Sequence, residues 1–132
     1  MLYKVLTGDG ETCHGGTGQW PLPHDGLAGD WLEVAGALVP CERGLHLCRE
    51  TDLVSWLGPA IFEAEAAGEV VVCDNKIVAR RARLLRRLDG WTEQTARLFA
   101  ADCAEHVLPL FETVYPADRR PRAALEVARR FA

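Results

Sequence analysis

The sequence predicts an α+β fold in which a mostly antiparallel sheet with one short helix is followed by a C-terminal helical hairpin. Between residues 3 and 85, short β-prone segments alternate with turn signals, which is typical of antiparallel strands. From Thr92 onward, apolar residues recur every three or four positions, as in an amphipathic helix. We therefore expect a β-rich domain over 1–88 and a helical segment over 89–132 that packs on it, forming one compact unit.

The predicted sheet consists of short strands joined by turns. Asp74-Asn75 is typical of a two-residue hairpin turn, and residues 31–34 and 37–39 are expected to form a second hairpin. Residues 8–29 contain seven glycines and two prolines, which disfavour both helix and sheet, so a long loop is expected there. The remaining predicted strands cover residues 3–6, 45–48, 60–66, 70–73 and 76 to about 85.

Three helices are predicted. A short helix over 51–57 begins with Thr51 as its N-cap. A long helix begins after Thr92, and Pro109 is expected to kink or divide it because proline removes a backbone donor. The last helix follows Asp118 as its cap. The predicted inner faces consist of Ala96, Phe99, Cys103, Val107, Leu110 and Val114 in the long helix, and Ala124, Leu125, Ala128 and Phe131 in the last.

The charge pattern argues against nucleic acid as a partner. The net charge is −4, from 15 basic and 19 acidic residues, so no global basic field exists. Six cations in twelve residues are expected to pair with Glu63, Glu65 and Glu69 on the sheet surface: Lys76, Arg80, Arg81, Arg83, Arg86 and Arg87. The alternative is direct contact of this run with nucleic acid or an acidic partner.

No apolar run approaches the ~20 residues of a membrane span, and the N-terminus lacks signal-peptide features, which predicts a cytoplasmic protein.

Three metal-capable or redox-capable side chains surround one glycine turn in the segment 41–48. Without a secretion signal, the five cysteines are expected to be free thiols or metal ligands. With Cys13 added, Cys41, His46 and Cys48 make a Cys3His set that suits tetrahedral zinc. The alternative is that the cysteines are small buried hydrophobes and that His46 is a hydrogen-bonded structural residue.

A second interpretation places a ligand pocket around His46. The glycine-rich loop would fold over this histidine and place Cys13 and His14 on the opposite wall. A nucleophilic pair of Cys13 or Cys48 with His46 as base is conceivable, but no orienting Asn or Asp is identifiable. The candidate ligand-binding or partner-binding residues are His46, His14, Arg43 and Trp20.

Two resemblances to known families add to this interpretation. Residues 3–85, with Cys13 and the Cys-x-x-Gly-Leu-His-x-Cys pattern of 41–48, resemble an uncharacterised family of small bacterial and phage domains. That resemblance points to the same three cysteines and His46. Residues 96–130, through segments 102–109 and 115–126, resemble the opening helices of an immunity-protein family associated with bacterial toxin systems. Such a resemblance implies a protein that binds and blocks a partner.

Three functions follow as hypotheses. The leading one is a small protein-binding module of immunity or antitoxin type. The second is a small enzyme or ligand-binding domain with its pocket between the glycine-rich loop and His46. The third is a structural domain stapled by one zinc ion, and no other cofactor is expected.

Overall fold

The computed structural model describes all residues from 1 to 132 and confirms the predicted α+β fold. The chain divides into two compact units, which we call the β unit, Met1–Asp89, and the helical unit, Gly90–Ala132. The elements in chain order are β1 Leu2–Leu6, β2 Leu32–Glu33, β3 Leu45–Arg49, a 3-10 helix Glu50–Ser55, β4 Ala60–Val72, β5 Ile77–Arg87, α1 Glu93–Val114 and α2 Arg120–Arg130.

All strand pairings in the β unit are antiparallel, and four of them close a cycle. β1 pairs with β3 and β4, while β5 pairs with β3 and β4 as well, and β2 adds to β5. Because the cycle is closed, one face of these strands surrounds a common core. The buried core cluster consists of Leu6, Trp20, Leu45, Leu47, Ala60, Phe62, Ala64, Ala79, Ala82 and Leu84.

The long hairpin of β4 and β5 is the largest element of the sheet. Its turn is at Asp74-Asn75 as predicted, and the Cys73 amide donates to the Lys76 carbonyl at 2.9 Å. The two strands predicted at 60–66 and 70–73 are one continuous strand. A bulge around Gly68 shifts the register of its pairing with β5, and the pairing resumes at Val70. The prediction that the following strand continues to about residue 85 is confirmed.

Arginines of β5 pair with glutamates of β4 across the hairpin. Arg86 donates from Nε to Glu63 at 2.7 Å, Arg83 pairs with Glu65, and Arg80 pairs with Glu69. This confirms the predicted pairing with these three acids for three members of the basic run. Arg80, Arg83 and Arg86 are therefore neutralised within the sheet, whereas the predicted pairing with these acids is wrong for Lys76, whose ammonium lies 2.8 Å from the Cys41 sulfur.

The predicted hairpin between residues 31–34 and 37–39 is wrong. Leu32 and Glu33 pair instead with β5, and the Val34 amide donates to the Arg80 carbonyl at 3.0 Å. The Val39 carbonyl accepts a hydrogen bond from the Arg43 amide at 2.8 Å, which closes a tight turn. The reason is that β5 extends beyond its pairing with β3, which ends at Ala79. The backbone of β5 beyond that point is free to pair with residues 32–33, which would otherwise have only the short segment 37–39 as a partner.

The short helix predicted at 51–57 is a 3-10 helix that begins at Glu50. Its cap differs from the predicted Thr51: the Asp52 carboxylate accepts the backbone amide of Arg49 at 3.2 Å and also pairs with the Arg49 guanidinium. A carboxylate in the first turn satisfies amides that have no partner within the helix.

The first helix of the helical unit begins as predicted. Thr92 is its N-cap and accepts the Thr95 amide at 3.2 Å. Pro109 does not divide α1, which continues to Val114, and the Thr113 hydroxyl donates to the Pro109 carbonyl at 2.8 Å. Neither helix has both the length and the apolar character that a membrane-spanning helix requires.

The inner face of α1 was predicted incorrectly. The buried residues are Ala101 and Leu108, while the predicted apolar stripe is largely exposed. The α2 helix is linked to a different face of α1, where Arg122 binds Glu112 and Arg129 binds Asp102, each at 2.7 Å. These partly exposed pairs mark the packed face, although each contributes little free energy. In α2, Leu125 and Ala128 are half-buried as expected, whereas Ala124 and Phe131 are exposed.

Replacing Gly44 with alanine is expected to destabilise the β unit by about 2–4 kcal/mol. Gly44 has a φ of +143°, and a Cβ atom there would lie 2.1 Å from Cγ1 of the fully buried Val78. Chemical denaturation measures the effect. Gly90→Ala is the control, because a Cβ at Gly90 would meet no atom within 4 Å. Equal stability of the two variants would contradict the argument.

Candidate functional site

A cavity of about 470 Å³ lies in the β unit between the glycine-rich loop, β1, β3 and the start of β5. Its lining contains six residues singled out from the sequence: Cys13, His14, Trp20, Cys41, His46 and Cys48. The predicted candidate Arg43 does not line it. Arg43 lies instead beside Gly36, where a Cβ would be 3.1 Å from its guanidinium.

The glycine-rich loop is held by Thr12. The Thr12 amide donates to the Gly18 carbonyl at 3.0 Å, and its hydroxyl donates to the Gly16 carbonyl at 3.1 Å. Gly15 and Gly16 have φ values of +90° and +81°, which glycine adopts without strain. The turn therefore presents Cys13 and His14 at the cavity.

Two side chains attach this loop to the rest of the β unit. His14 bonds through Nε2 to the Trp56 carbonyl at 2.6 Å, and the two rings meet edge-on at 5.6 Å. Trp20 is 3% exposed and belongs to the core cluster, so it closes the base of the cavity more than it covers the opening. Burial raises the pKa of the Cys13 thiol, and the ammonium of Lys4 partly offsets this effect.

His46 makes hydrogen bonds with both ring nitrogens to the backbone of one turn. Its Nδ1 donates to the Gly44 carbonyl at 3.0 Å, and its Nε2 accepts the Cys41 amide at 3.0 Å. This pairing requires a neutral ring, and burial lowers the pKa of His46. His46 thus holds the turn in place, with Cys41 at a φ of +70°. It forms no Cys–His nucleophilic pair, since both nitrogens bond to backbone groups.

Cys48 is a neutral buried thiol on β3. Its sulfur donates to the Tyr3 carbonyl at 3.6 Å, and burial raises its pKa to about 11, with a smaller contribution from Asp52. A metal-binding cysteine must lose its proton, which this environment opposes. The structure places all four predicted zinc ligands on one cavity, but no three His, Cys, Asp or Glu side chains gather as a metal site. Structural zinc stays a prediction.

The only two lysines of the chain also line this cavity. Sequence reasoning missed Lys4, and it placed Lys76 among the paired cations of the sheet surface and not in the site. Lys4 donates to the His46 carbonyl at 3.0 Å and lies 5.1 Å from the Trp20 ring centre. Lys76 lies 2.8 Å from the Cys41 sulfur and 5.8 Å from the Trp56 ring centre. The sequence did contain a signal for Lys4, because this residue lies between apolar residues on the core-facing side of β1. It is also one of only two lysines in a chain whose other thirteen cations are arginines.

Cys48 is expected to react slowly with iodoacetamide at pH 8. With a pKa of about 11, only about one Cys48 thiol in a thousand is ionised at that pH, and the side chain is buried. Cys41 and Cys103 are exposed and are expected to react first. Peptide mass spectrometry of timed samples measures each rate, with the unfolded protein in urea as control. Equal rates for Cys48 and Cys103 in the folded protein would contradict this assignment.

The stability of the β unit is expected to rise with pH between about 5.5 and 7.5 through His46. Its pKa in the folded state lies below the unfolded value of about 6.5, so the unfolded chain binds more protons in this range. Acidification therefore removes stability. We expect His46→Asn to reduce this pH dependence and His24→Asn, in the exposed loop, to preserve it. Thermal denaturation at the two pH values measures both, and an unchanged pH dependence in His46→Asn would refute the role.

The comparisons with known proteins concern the other end of the chain. Residues 87–132 match the family model described as Imm-5 like putative immunity protein, which confirms the resemblance predicted over 96–130. The match covers about a third of the chain. No curated protein and no solved structure matches. The resemblance of residues 3–85 to a bacterial and phage family stays a prediction. The chain thus carries an immunity-protein-like segment at its C-terminal end, and this segment contains α1 and α2.

Proposed function

We propose that the protein acts by binding a protein partner, as an immunity-type module, and that one face of α1 contacts this partner. We call this face the α1 stripe. The single observation that carries the proposal is an apolar, uncharged and exposed helix face inside the segment that matches an immunity-protein family. The α1 stripe consists of Phe99, Cys103, Val107, Leu110 and Val114.

The spacing of the α1 stripe places its members on one face. They follow one another at intervals of three or four residues, opposite to the buried Ala101 and Leu108 that face α2. The exposed fractions of Val107, Leu110 and Val114 are 53%, 74% and 64%. A contiguous apolar patch of this kind on a water-exposed helix is typical of a protein-binding surface.

The charged residues of α1 point away from the α1 stripe. Asp102 and Glu105 bind Arg129 of α2, and Glu112 binds Arg122. The stripe is left without a cation or a carboxylate of its own. A surface of this chemistry fits an apolar helix or groove of a partner protein and not nucleic acid, which needs an array of unpaired cations.

The proposal predicts that Leu110→Asp weakens partner binding by about 100-fold, because a carboxylate would be buried against apolar groups. The partner is first identified by co-purification with the full-length chain from its native host, and it is then purified separately. Isothermal titration calorimetry measures the affinity of the full-length chain. Ala124→Asp is the matched control, since it places the same charge on an exposed position of α2.

Two results would overturn the proposal. One is an unchanged affinity of Leu110→Asp for the partner, with circular dichroism showing intact helices. The other is sedimentation of the isolated chain as a dimer that Leu110→Asp dissociates, because the α1 stripe would then be occupied by a second copy. Retained binding in Ala124→Asp together with loss in Leu110→Asp supports the proposal.

A further inference from the structure

We propose that the cavity of the β unit is a binding site for a small organic anion, whose carboxylate or phosphate is bound by Lys4 and Lys76 while its ring contacts Trp56. This inference does not rest on the partner-binding proposal, because it concerns the β unit alone. Aromatic carboxylates and nucleoside monophosphates share the required chemistry, and the experiment below distinguishes them.

Lys4 differs from the half-buried arginines of this protein in having no carboxylate partner. Arg80, Arg83 and Arg122 each pair with a glutamate, whereas neither Lys4 nor Lys76 forms an ion pair. Lys4 donates one hydrogen bond, to the His46 carbonyl, and an ammonium can donate three. Lys4 is half-buried, and burial lowers its pKa, because an ammonium without a counter-charge is costly there. A bound anion would reduce that cost.

The two ammonium groups are connected through hydrogen bonds to the same histidine. Lys4 bonds to the His46 carbonyl, while Lys76 contacts the sulfur of Cys41, whose amide bonds to the His46 ring. Burial is the main reason that the pKa of His46 is lowered, and the charges of Lys4 and Lys76 each add a smaller lowering. The turn held by His46 therefore connects Lys4 of β1 with Lys76, which precedes β5, and both lysines line the cavity.

The other polar groups in the cavity leave this positive charge without compensation. Cys48 donates its thiol hydrogen to the Tyr3 carbonyl at 3.6 Å, so it makes no hydrogen bond to either lysine. His46 is neutral and engaged with the backbone. Glu42 is the only carboxylate in the lining, and it is exposed and makes no ion pair with either lysine. An electropositive cavity in a protein of net charge −4 selects anions locally.

The remaining walls suit a ring of moderate size. The half-buried Trp56 lines the cavity beside Lys76, and Val5 and Leu45 add apolar surface. The volume of about 470 Å³ falls within the range of small-molecule sites, which combine mostly apolar walls with a few charged groups. A ligand with one anionic group and one planar ring uses both kinds of wall.

Isothermal titration calorimetry of the full-length protein tests the site with five probes: adenosine 5′-monophosphate, adenosine, indole-3-acetate, indole and inorganic phosphate. We expect at least one of the two ring-bearing anions to bind with a Kd below about 1 mM, and to bind at least tenfold more tightly than its uncharged counterpart and than phosphate. The anion that binds shows whether the site takes a nucleoside monophosphate or an aromatic carboxylate. Higher NaCl is expected to weaken the interaction.

Lys76→Met is expected to weaken binding of that probe at least tenfold, because it removes a charge while preserving the length of the side chain. Arg43→Met is the matched control, since Arg43 is an exposed cation of the same unit outside the cavity. Lys4→Met provides a second variant, judged after its melting temperature shows that it folds. Leu110→Asp on the α1 stripe is expected to bind the probe normally, so failure of the partner-binding proposal remains distinguishable.

Absence of binding by both anions up to about 1 mM would overturn the inference. Equal affinity of Lys76→Met and the unchanged protein would overturn the role of the lysines. Equal affinity for phosphate and the ring-bearing anions would overturn the role of Trp56.

Discussion

The antiparallel ladder between β4 and β5 is the interaction on which the β unit depends. β4 also pairs with β1, and β5 with β2 and β3, so every other strand is attached to this hairpin. The cavity inherits its geometry from these attachments. Lys4 comes from β1, His46 from β3, and Lys76 from the residue just before β5. A shift of one residue along a strand pairing would turn the side chains of that strand to the other face, and the cavity would lose them.

Charge is distributed in two distinct ways in this protein. The arginines on the long hairpin and between the two helices meet carboxylates, and they stabilise the elements to which they belong. The two lysines meet only carbonyl, sulfur and aromatic groups. Paired guanidinium groups are therefore structural here, while the unpaired ammonium groups retain hydrogen-bonding capacity for a ligand. Lys76 belongs by sequence to the basic run but lies outside its ion pairs, whereas Arg80, Arg83 and Arg86 pair with glutamates.

Local signals in the sequence predicted local structure well. Asp74-Asn75 marked the hairpin and Thr92 marked a helix start because both act within a few residues. The hairpin at 31–39 failed because its true partner, β5, lies some fifty residues away. The α1 stripe was predicted to be buried because periodicity locates an apolar face without showing what covers it. Arginine–carboxylate pairs with α2 mark the face that is packed, and such pairs cannot be derived from one helix alone.

The segment 41–48 shows how a metal-like spacing can arise from turn geometry. Gly44 is required because a Cβ would collide with Val78, and His46 is required because its ring accepts the Cys41 amide while donating to Gly44. Cys48 lies two residues further on the same strand face as His46, where burial keeps its thiol protonated. Each residue type thus has a physical reason that involves no metal. The same turn places Cys41 against Lys76, so the segment also positions a cation at the cavity.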